Sequence, residues 1–298
     1  MLGAAAGGGF PQWNCSCANC HAARQGKLSP LTQSSVAVKG SGGGWLLINA
    51  SPDLPAQIRD FPELQPSPDT VRNSPIAAVL LTNADLDHVL GLWSLREGGR
   101  LHVLAPRAVR DTLDHALRLS LVLDFFCRVD WHEPSEVDWL PVPGTIGTHN
   151  SLVCRAIRLP AGPPLFDQRS QPEGAHSVAY SIVDRDTGGR LLVAPDVGAC
   201  PDALTIALRE ADAVLFDGTF WSGDELQRIN PRARTAAAMG HLPIQDQSLP
   251  LLQALPARHK IYYHLNNTNP VLAPGSPERA AVLAAGLEVG RDGLEFVL

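Results

Sequence analysis

The most constraining feature of this sequence is the stretch from Leu80 to Leu92, LLTNADLDHVLGL, where an apolar run ends at a cluster of side chains that can bind a metal ion. The residues from Ile76 to Leu81 are apolar without alternation, which predicts a strand buried on both faces. The predicted strand therefore ends near Thr82. Because α/β sheets carry their chemistry at the carboxyl ends of their strands, the turn that follows is the first place to look for a functional site.

Two interpretations fit this turn. In the first, its carboxylates and imidazole bind a metal ion, and in the second they only cap the helical pattern that follows. The turn carries four such polar side chains, namely Asn83, Asp85, Asp87 and His88. Two later apolar runs favour the metal, because LLVAPD ends at Asp196 and KIYYH ends at His264.

The first of these apolar runs is followed by Asp-His, the second by Asp and the third by His. This order resembles that of the metallo-β-lactamase superfamily. The resemblance implies an α/β fold, in which two mixed sheets form an αββα sandwich flanked by helices. No linker-like composition divides the chain, so residues 1–298 are expected to form a single domain. A hydrophobic fraction of 45% is enough for the large core that such a domain requires.

The chain departs from the superfamily at the first of its two metal sites. The superfamily turn reads H-x-H-x-D-H, and Asn83 and Asp85 stand here in place of its two leading histidines. A third histidine of that site is expected between Ala156 and Gly162, and this segment, AIRLPAG, has none. The resemblance therefore implies that the first metal site has been lost, and that Asn83 and Asp85 shape the space it leaves for a substrate.

The second metal site is complete by the same comparison. Its implied ligands are Asp87, His88, Asp196 and His264. Imidazoles combined with carboxylate suit a mononuclear non-haem Fe(II) that handles O₂, although Zn(II) accepts the same ligands. A hydrolytic site with two metal ions, about 3.5 to 4 Å apart, is difficult to build without the first site, which argues against ordinary hydrolysis.

A second group of metal-binding residues lies near the start of the chain, in a cysteine-rich loop at residues 13–21. Cys15, Cys17 and Cys20 form C-x-C-x-x-C, a spacing that favours a structural Zn(II) over a redox pair. The fourth ligand stays open. His21 is adjacent, whereas in related phosphodiesterases the last ligand follows the active-site histidine by three residues, which here gives Asn267, a poor zinc ligand.

Composition excludes several classes of function. The net charge of −6 leaves no basic surface for nucleic acid. No run reaches the roughly 18 apolar residues of a membrane span, and no export signal is visible, so we expect a cytoplasmic protein without membrane insertion. A homodimer is compatible with the sequence, which does not fix the oligomeric state.

Longer motifs extend the resemblance over nearly the whole chain. LGAAAGGGFPQWNCSCANC, INASPDLPAQI and HLNNTNP resemble a family of pyrroloquinoline quinone (PQQ) biosynthesis proteins. The family usually has a few more residues before this LG, which implies that this sequence starts later than those of the family. The resemblance implies iron- and O₂-dependent hydroxylation of the tyrosine ring in a Glu-Tyr unit derived from a precursor peptide. Two alternatives stay open: a carrier that transports PQQ or its precursor to the periplasm, and a metal-dependent hydrolase.

Three further residues are candidates for the same site. His241 lies where related metallo-hydrolases place a glycine-histidine, and it is a candidate acid or base because phenol chemistry requires proton transfer. A helix-terminal packing role is the alternative for His241. His176 precedes a predicted strand and is a candidate for lining the substrate pocket, and Asp217 ends another predicted strand and is a candidate for supporting the metal ligands.

Overall fold

The computed structural model describes residues 1–145, 148–168 and 173–298. The chain forms two compact units. The terminal unit comprises Met1, Gly3–Ser34 and Arg190–Leu298, and the central unit comprises Leu2 and Ser35–Gly189. Among the described residues, no helix combines the length and the apolar character that are needed to cross a membrane. The single domain expected from the sequence stays a prediction.

Strands and helices alternate along much of the chain. The strands in the described residues are β1 (Val36–Val38), β2 (Trp45–Ile48), β3 (Ile76–Leu80), β4 (Arg100–Leu104), β5 (Arg128–His132), β6 (Leu140–Pro141), β7 (Leu152–Arg158), β8 (Val178–Asp184), β9 (Arg190–Ala194), β10 (Ala213–Asp217), β11 (His259–Tyr263) and β12 (Glu288–Val289). The α-helices there are α1 (Ala18–Arg24), α2 (Leu54–Asp60), α3 (Leu86–Val89), α4 (Arg107–His115), α5 (Leu119–Phe126), α6 (Asp202–Glu210), α7 (Glu225–Ile229), α8 (Leu249–Gln253) and α9 (Pro277–Ala284). Shorter helical segments of 3₁₀ or π type are Pro62–Leu64, Leu90–Gly98, Ala237–Met239, Ile244–Ser248 and Pro270–Leu272.

The central unit contains a mixed five-stranded sheet in the order β1-β2-β3-β4-β5. Only β1 runs antiparallel to its neighbour, and the remaining pairs are parallel. The strand predicted from Ile76 to Leu81 is confirmed as β3, whose last four side chains are buried. Val79, Leu81 and Val103 belong to a buried apolar cluster that also includes residues of α2, α4 and α5. Burial on the helix side and on the opposite side explains why β3 shows no polar alternation.

Three antiparallel strands, β6, β7 and β8, complete the central unit. All seven residues of β7 pair with β8, from Leu152 opposite Asp184 to Arg158 opposite Val178. The Val178 N–H donates to the Thr82 carbonyl at 2.8 Å, and the Tyr180 hydroxyl donates to the Leu81 carbonyl at 2.9 Å. The start of β8 is therefore held against the end of β3, where the predicted metal-binding turn begins.

The terminal unit contains four parallel strands in the order β12-β11-β10-β9. Its three longer strands are almost entirely apolar and buried. Leu215 lies opposite both Val193 and Ile261, so the three strands are in register. Because they are parallel, their carboxyl ends lie at one edge, and this edge carries the residues around Asp196, Asp217 and His264.

Candidate functional site

Three side chains converge at the carboxyl edge of the terminal unit. The ligand atoms of Asp196, His241 and His264 all lie within 4.8 Å of one another. Nε2 of His264 is 3.6 Å from Asp196 Oδ1, and Nε2 of His241 is 3.9 Å from the same oxygen. The two imidazole rings are stacked with their centroids 5.9 Å apart. Two imidazole nitrogens and one carboxylate oxygen therefore face a common point.

The backbone is unusual at two of these residues. Asp196 has φ 53° and His264 has φ 58°, which places both in the left-handed region that residues other than glycine seldom adopt. Each lies just past the end of its strand, at the point where the chain turns away from the sheet. Such strain is retained where the surrounding structure requires it, and it is concentrated at functional sites.

Asp217 supports both imidazoles on their Nδ1 side, directly at His241 and through Thr219 at His264. It is the last residue of β10, it has no exposed surface, and its Oδ2 is 2.7 Å from Nδ1 of His241. The Thr219 hydroxyl donates to Asp217 Oδ1 at 2.6 Å and lies 2.9 Å from Nδ1 of His264. With Nδ1–H held in this way on each ring, both rings present Nε2 to the common point.

The charges of this network reinforce one another. Burial alone would raise the pKa of Asp217, but the charge of His241 and its hydrogen bond outweigh burial and hold that pKa far below its usual range. Burial likewise opposes a charge on His241, and the Asp217 carboxylate outweighs it and raises the pKa of His241. The sequence indicated Asp217 as a supporting residue, and the structure gives it that contact.

The loop that carries His241 is fixed to the loop that follows β9. The Leu242 N–H donates to the Val197 carbonyl at 2.7 Å, and the Val197 N–H donates to Asp217 Oδ2 at 2.9 Å. Gly198 lies so close to Gly240 that a Cβ on Gly198 would be 3.0 Å from the Gly240 carbonyl oxygen. The sequence predicted that His241 acts in the site as an acid or base. The structure adds that its Nε2 lies 3.9 Å from Oδ1 of Asp196.

The predicted turn of the central unit has a comparable arrangement around His88. His88 is fully buried, and its Nδ1 lies 2.8 Å from Asn83 Oδ1. The Asp85 N–H donates to the same Oδ1 at 3.0 Å, which identifies that atom as the amide oxygen and makes His88 Nδ1 the donor. Nε2 of His88 is then directed toward Asp87, whose Oδ2 is 3.6 Å away.

The helical segment that carries His88 is anchored to the end of β2. The Ala50 N–H donates to the His88 carbonyl at 2.7 Å, and the Gly91 N–H donates to the Ala50 carbonyl at 2.8 Å. Gly91 is so close to the backbone of Ala50 and Ser51 that a side chain there would collide with it. Sequence analysis did not identify Asn49, which has φ 61° and whose side chain bonds to Thr82 beside the turn.

The cysteine-rich loop forms a separate cluster in the terminal unit. The sulfur atoms of Cys15, Cys17 and Cys20 lie within 4.8 Å of one another at the start of α1. Burial raises the pKa of Cys17 to about 11, and its neighbouring cysteines contribute to this shift. The set of three sulfur donors fits the sulfur-rich tetrahedral sites that bind zinc, in which the ion stabilises the thiolate form.

The carboxamide of Asn267 lies against all three sulfur atoms. Its Nδ2 is 3.1 Å from Sγ of Cys15, 3.3 Å from Sγ of Cys20 and 3.7 Å from Sγ of Cys17. His21, the other candidate for a fourth ligand, is exposed, and its Nε2 contacts the side-chain amide of Gln25 at 2.7 Å. A half-turn of the Asn267 amide exchanges nitrogen for oxygen, so this residue offers an oxygen ligand at the fourth corner.

Comparison with known proteins covers the whole chain. A family model described as a β-lactamase superfamily domain matches residues 44–265. The coenzyme PQQ synthesis protein B of Cupriavidus taiwanensis is 42% identical over 304 residues, covering 100% of this chain and 98% of that protein. The protein of the same name from Azotobacter vinelandii is 39% identical over 310 residues, covering 100% and 99%.

Solved structures agree with these relatives. Zn(2+)-bound PqqB from Methylobacterium extorquens is 35% identical, covers 100% of this chain and 98% of that chain, and has a TM-score of 0.89. A diphosphatase of the PhnP family is 19% identical, with coverages of 98% and 93% and a TM-score of 0.68, and it shares the fold. The predicted α/β fold of mixed sheets with flanking helices is thereby confirmed.

Proposed function

Since this chain belongs to the coenzyme PQQ synthesis protein B family of the metallo-β-lactamase superfamily, we propose that it acts in PQQ biosynthesis as an iron- and O₂-dependent hydroxylase. The substrate in this proposal is the tyrosine ring of the Glu-Tyr unit derived from the precursor peptide. Family membership supports the role in PQQ biosynthesis. The hydroxylation itself rests on the chemistry of the residues described above.

The observation that carries this proposal is the donor set of the terminal unit. Asp196 and His264 supply a carboxylate oxygen and an imidazole nitrogen that lie 3.6 Å apart, and Nε2 of His241 lies 3.9 Å from the same oxygen. Two histidines and one carboxylate with open positions are typical of the non-haem Fe(II) oxygenases. When bound, Fe(II) would supply the activation of O₂ that a hydroxylation requires. One oxygen atom would enter the ring C–H bond, and the other would leave as water with two electrons from an external reductant. The ligand set implied by the resemblance, Asp87, His88, Asp196 and His264, contains two histidines with carboxylates and stays a prediction.

The surrounding residues keep these donors ready to bind. Asp217 accepts a hydrogen bond from Nδ1 of His241. The Thr219 hydroxyl, which donates to Asp217, accepts one from Nδ1 of His264. In the central unit, Asn83 does the same for His88. We assign Asn83 and Asp85, which stand in place of superfamily histidines, to shaping the space for the substrate.

His241 is the group that we assign to the phenolic proton. Its Nδ1 is fixed on Asp217, so Nε2 is the nitrogen that can exchange a proton with a substrate. The Asp217 carboxylate raises the pKa of His241 and so makes this nitrogen a better base. A His241→Ala variant distinguishes this role from that of a ligand, because it retains iron in the first case and loses it in the second.

We further propose that a structural Zn(II) binds to Cys15, Cys17 and Cys20, with the Asn267 carboxamide as the fourth ligand. Asn267 follows His264 by three residues, and its side chain contacts all three sulfur atoms. The site would therefore tie the segment after β11 to the start of α1. Its expected effect is on the stability of the segment that carries His264.

The decisive experiment combines elemental analysis with oxygen uptake. After anaerobic reconstitution with iron, the protein is expected to hold zinc and one iron. With a reductant such as ascorbate present, it is expected to consume O₂ only when a Glu-Tyr substrate is added. The His264→Ala variant should lose iron and uptake together. The matched control is His149→Ala, because His149 is exposed and lies outside the described contacts of the site.

The other outcomes identify the alternatives. Wild-type turnover in the His264→Ala variant would remove the metal from the mechanism. Folded protein that holds zinc alone, consumes no O₂ and binds finished PQQ tightly would indicate a carrier. Cleavage of a chromogenic ester with two metal ions in the site would indicate a hydrolase.

A further inference from the structure

A cleft of about 650 Å³ opens in the central unit, away from the cysteine-rich loop. One wall is the first part of α4, from Pro106 to Asp111, together with His115. The other walls are the segment just after β5 and the segment before β8, which carries His176. This volume lies within the range of about 300 to 1,000 Å³ that is usual for small-molecule sites.

The cleft is connected to the predicted metal-binding turn within the same unit. His176 lines it and is only 2% exposed, and Val178, two residues later, pairs with the Thr82 carbonyl at 2.8 Å. The Thr82 hydroxyl lies 3.4 Å from Nδ1 of His88. A hydrogen bond therefore joins one wall of the cleft to the residue that precedes the turn carrying His88.

The charges of the lining are unequal. The lining includes one guanidinium, that of Arg107. It includes four carboxylates, which belong to Asp111, Glu133, Glu136 and Asp167. Arg107 already lies 3.9 Å from the carboxylate of Asp111, and the carboxylate of Asp167, which is 5% exposed, accepts a hydrogen bond from Thr112. The remaining charge of the lining is therefore negative.

Two of these carboxylates are available to a ligand. Within the described ranges, Glu133 and Glu136 make no hydrogen bond or ion pair, and both are exposed at the cleft. A cleft with an excess of one charge concentrates ligands of the opposite charge. The complementary group on a small organic ligand at neutral pH is an ammonium.

We propose that this cleft binds the ammonium-bearing end of an amino-acid or dipeptide ligand, with Glu133 and Glu136 as the groups that face the ammonium. The assignment rests on the proposed function in one respect, since the Glu-Tyr substrate carries an α-amino group. It extends that function by naming the part of the substrate that is recognised and the residues that recognise it.

The test is calorimetric binding to the full-length, metal-loaded protein. The probes are L-glutamyl-L-tyrosine and its N-acetyl derivative, which lacks the ammonium. The wild-type protein is expected to bind the free dipeptide about fivefold more tightly, as two partly exposed ion pairs would give. The double variant Glu133→Gln/Glu136→Gln should bind both probes with the weaker affinity. Glu63→Gln, an exposed carboxylate of the same unit that is not in the lining, should retain the preference.

Three results would overturn the assignment. These are equal affinity of the wild-type protein for the two probes, an unchanged preference in the double variant, and no binding of the free dipeptide at millimolar concentration. Oxygen uptake separates this assignment from the proposed function. Selective binding without substrate-dependent uptake would retain the cleft and reject the hydroxylase, whereas uptake with an unchanged KM in the double variant would do the reverse.

Discussion

Glu225 is a buried carboxyl group that should make the stability of the protein depend on pH. It is the first residue of α7 and is only 7% exposed. Its Oε2 accepts a hydrogen bond from the Trp221 N–H at 2.7 Å, and its Oε1 lies 2.5 Å from the Thr268 hydroxyl. Burial raises the pKa of Glu225 to about 7, and these hydrogen bonds reduce the shift without cancelling it.

The sign of the effect follows from proton linkage. The pKa of this group is about 7 in the folded protein and 4.5 as its ordinary value, so the folded protein binds the proton more tightly. The stabilisation is present below the unfolded pKa and is lost as pH rises through the folded one. For these two values, the free energy of unfolding should fall by about 2 kcal/mol between roughly pH 5.5 and pH 8.5.

The perturbation is Glu225→Gln, which reproduces the neutral acid. A glutamine amide keeps both contacts, since its oxygen can accept from Trp221 and its nitrogen can donate to Thr268. Urea unfolding of the metal-loaded protein, at both ends of this pH range and with reductant present, gives the free energies. The variant should lack the fall of about 2 kcal/mol, and it should exceed the wild type in stability most clearly at the alkaline end.

Other groups can also contribute to the dependence on pH, so the difference between wild type and variant is the quantity that decides. Asp246→Asn is the control, because Asp246 is an exposed carboxylate of the same unit, and this variant should keep the wild-type dependence on pH. Equal losses of stability in the wild type and in Glu225→Gln would refute the reasoning. They would mean that Glu225 is ionised in the folded protein at little cost.

Substitutions at three other positions probe the proposed metal centres and their supports. Asp217→Asn should weaken iron binding about 10- to 100-fold in a chelator competition, because the Thr219 hydroxyl that holds Nδ1 of His264 loses its charged acceptor; unchanged affinity would contradict that role. Asn83→Ala should weaken the binding of metal through His88 by a similar factor, whereas Asn83→Asp, which keeps an acceptor, should largely preserve it. Cys17→Ala should release zinc and lower the Tm, and full zinc content at an unchanged Tm would rule out the structural site.

The sequence was informative where chemistry follows a strand. The apolar runs before Thr82, Asp196 and His264 could be recognised because a buried strand has no polar alternation, and a ligand just after such a run lies at the sheet edge. Spacing from His264 also led to Asn267. The sequence ranked it as a poor ligand, because spacing cannot show that three sulfur atoms surround its amide.

Apart from Asp217, the supporting contacts could not be predicted in the same way. Thr219 and Asn49 are common polar residues, and nothing in their local sequence distinguishes them from turn residues. Their contacts arise because the chain returns to them from a distance, as when Thr219 meets His264 after 45 residues. The burial of Glu225 is of the same kind, since its partner Thr268 lies 43 residues away. Tertiary packing, and not local pattern, creates these sites.

The supporting residues explain how a turn with Asn83 and Asp85 in place of two superfamily histidines can still present the imidazole that we propose as a metal ligand. In His88, His241 and His264, Nδ1 is held by a buried oxygen, from Asn83, Asp217 and Thr219 respectively. The common result is that each ring directs Nε2 away from its support and toward a carboxylate. Asn83 therefore has a structural role of its own, because its amide oxygen orients the imidazole of His88. A metal site with fewer ligands depends more strongly on such supports, since each remaining nitrogen must already be in place when the ion binds.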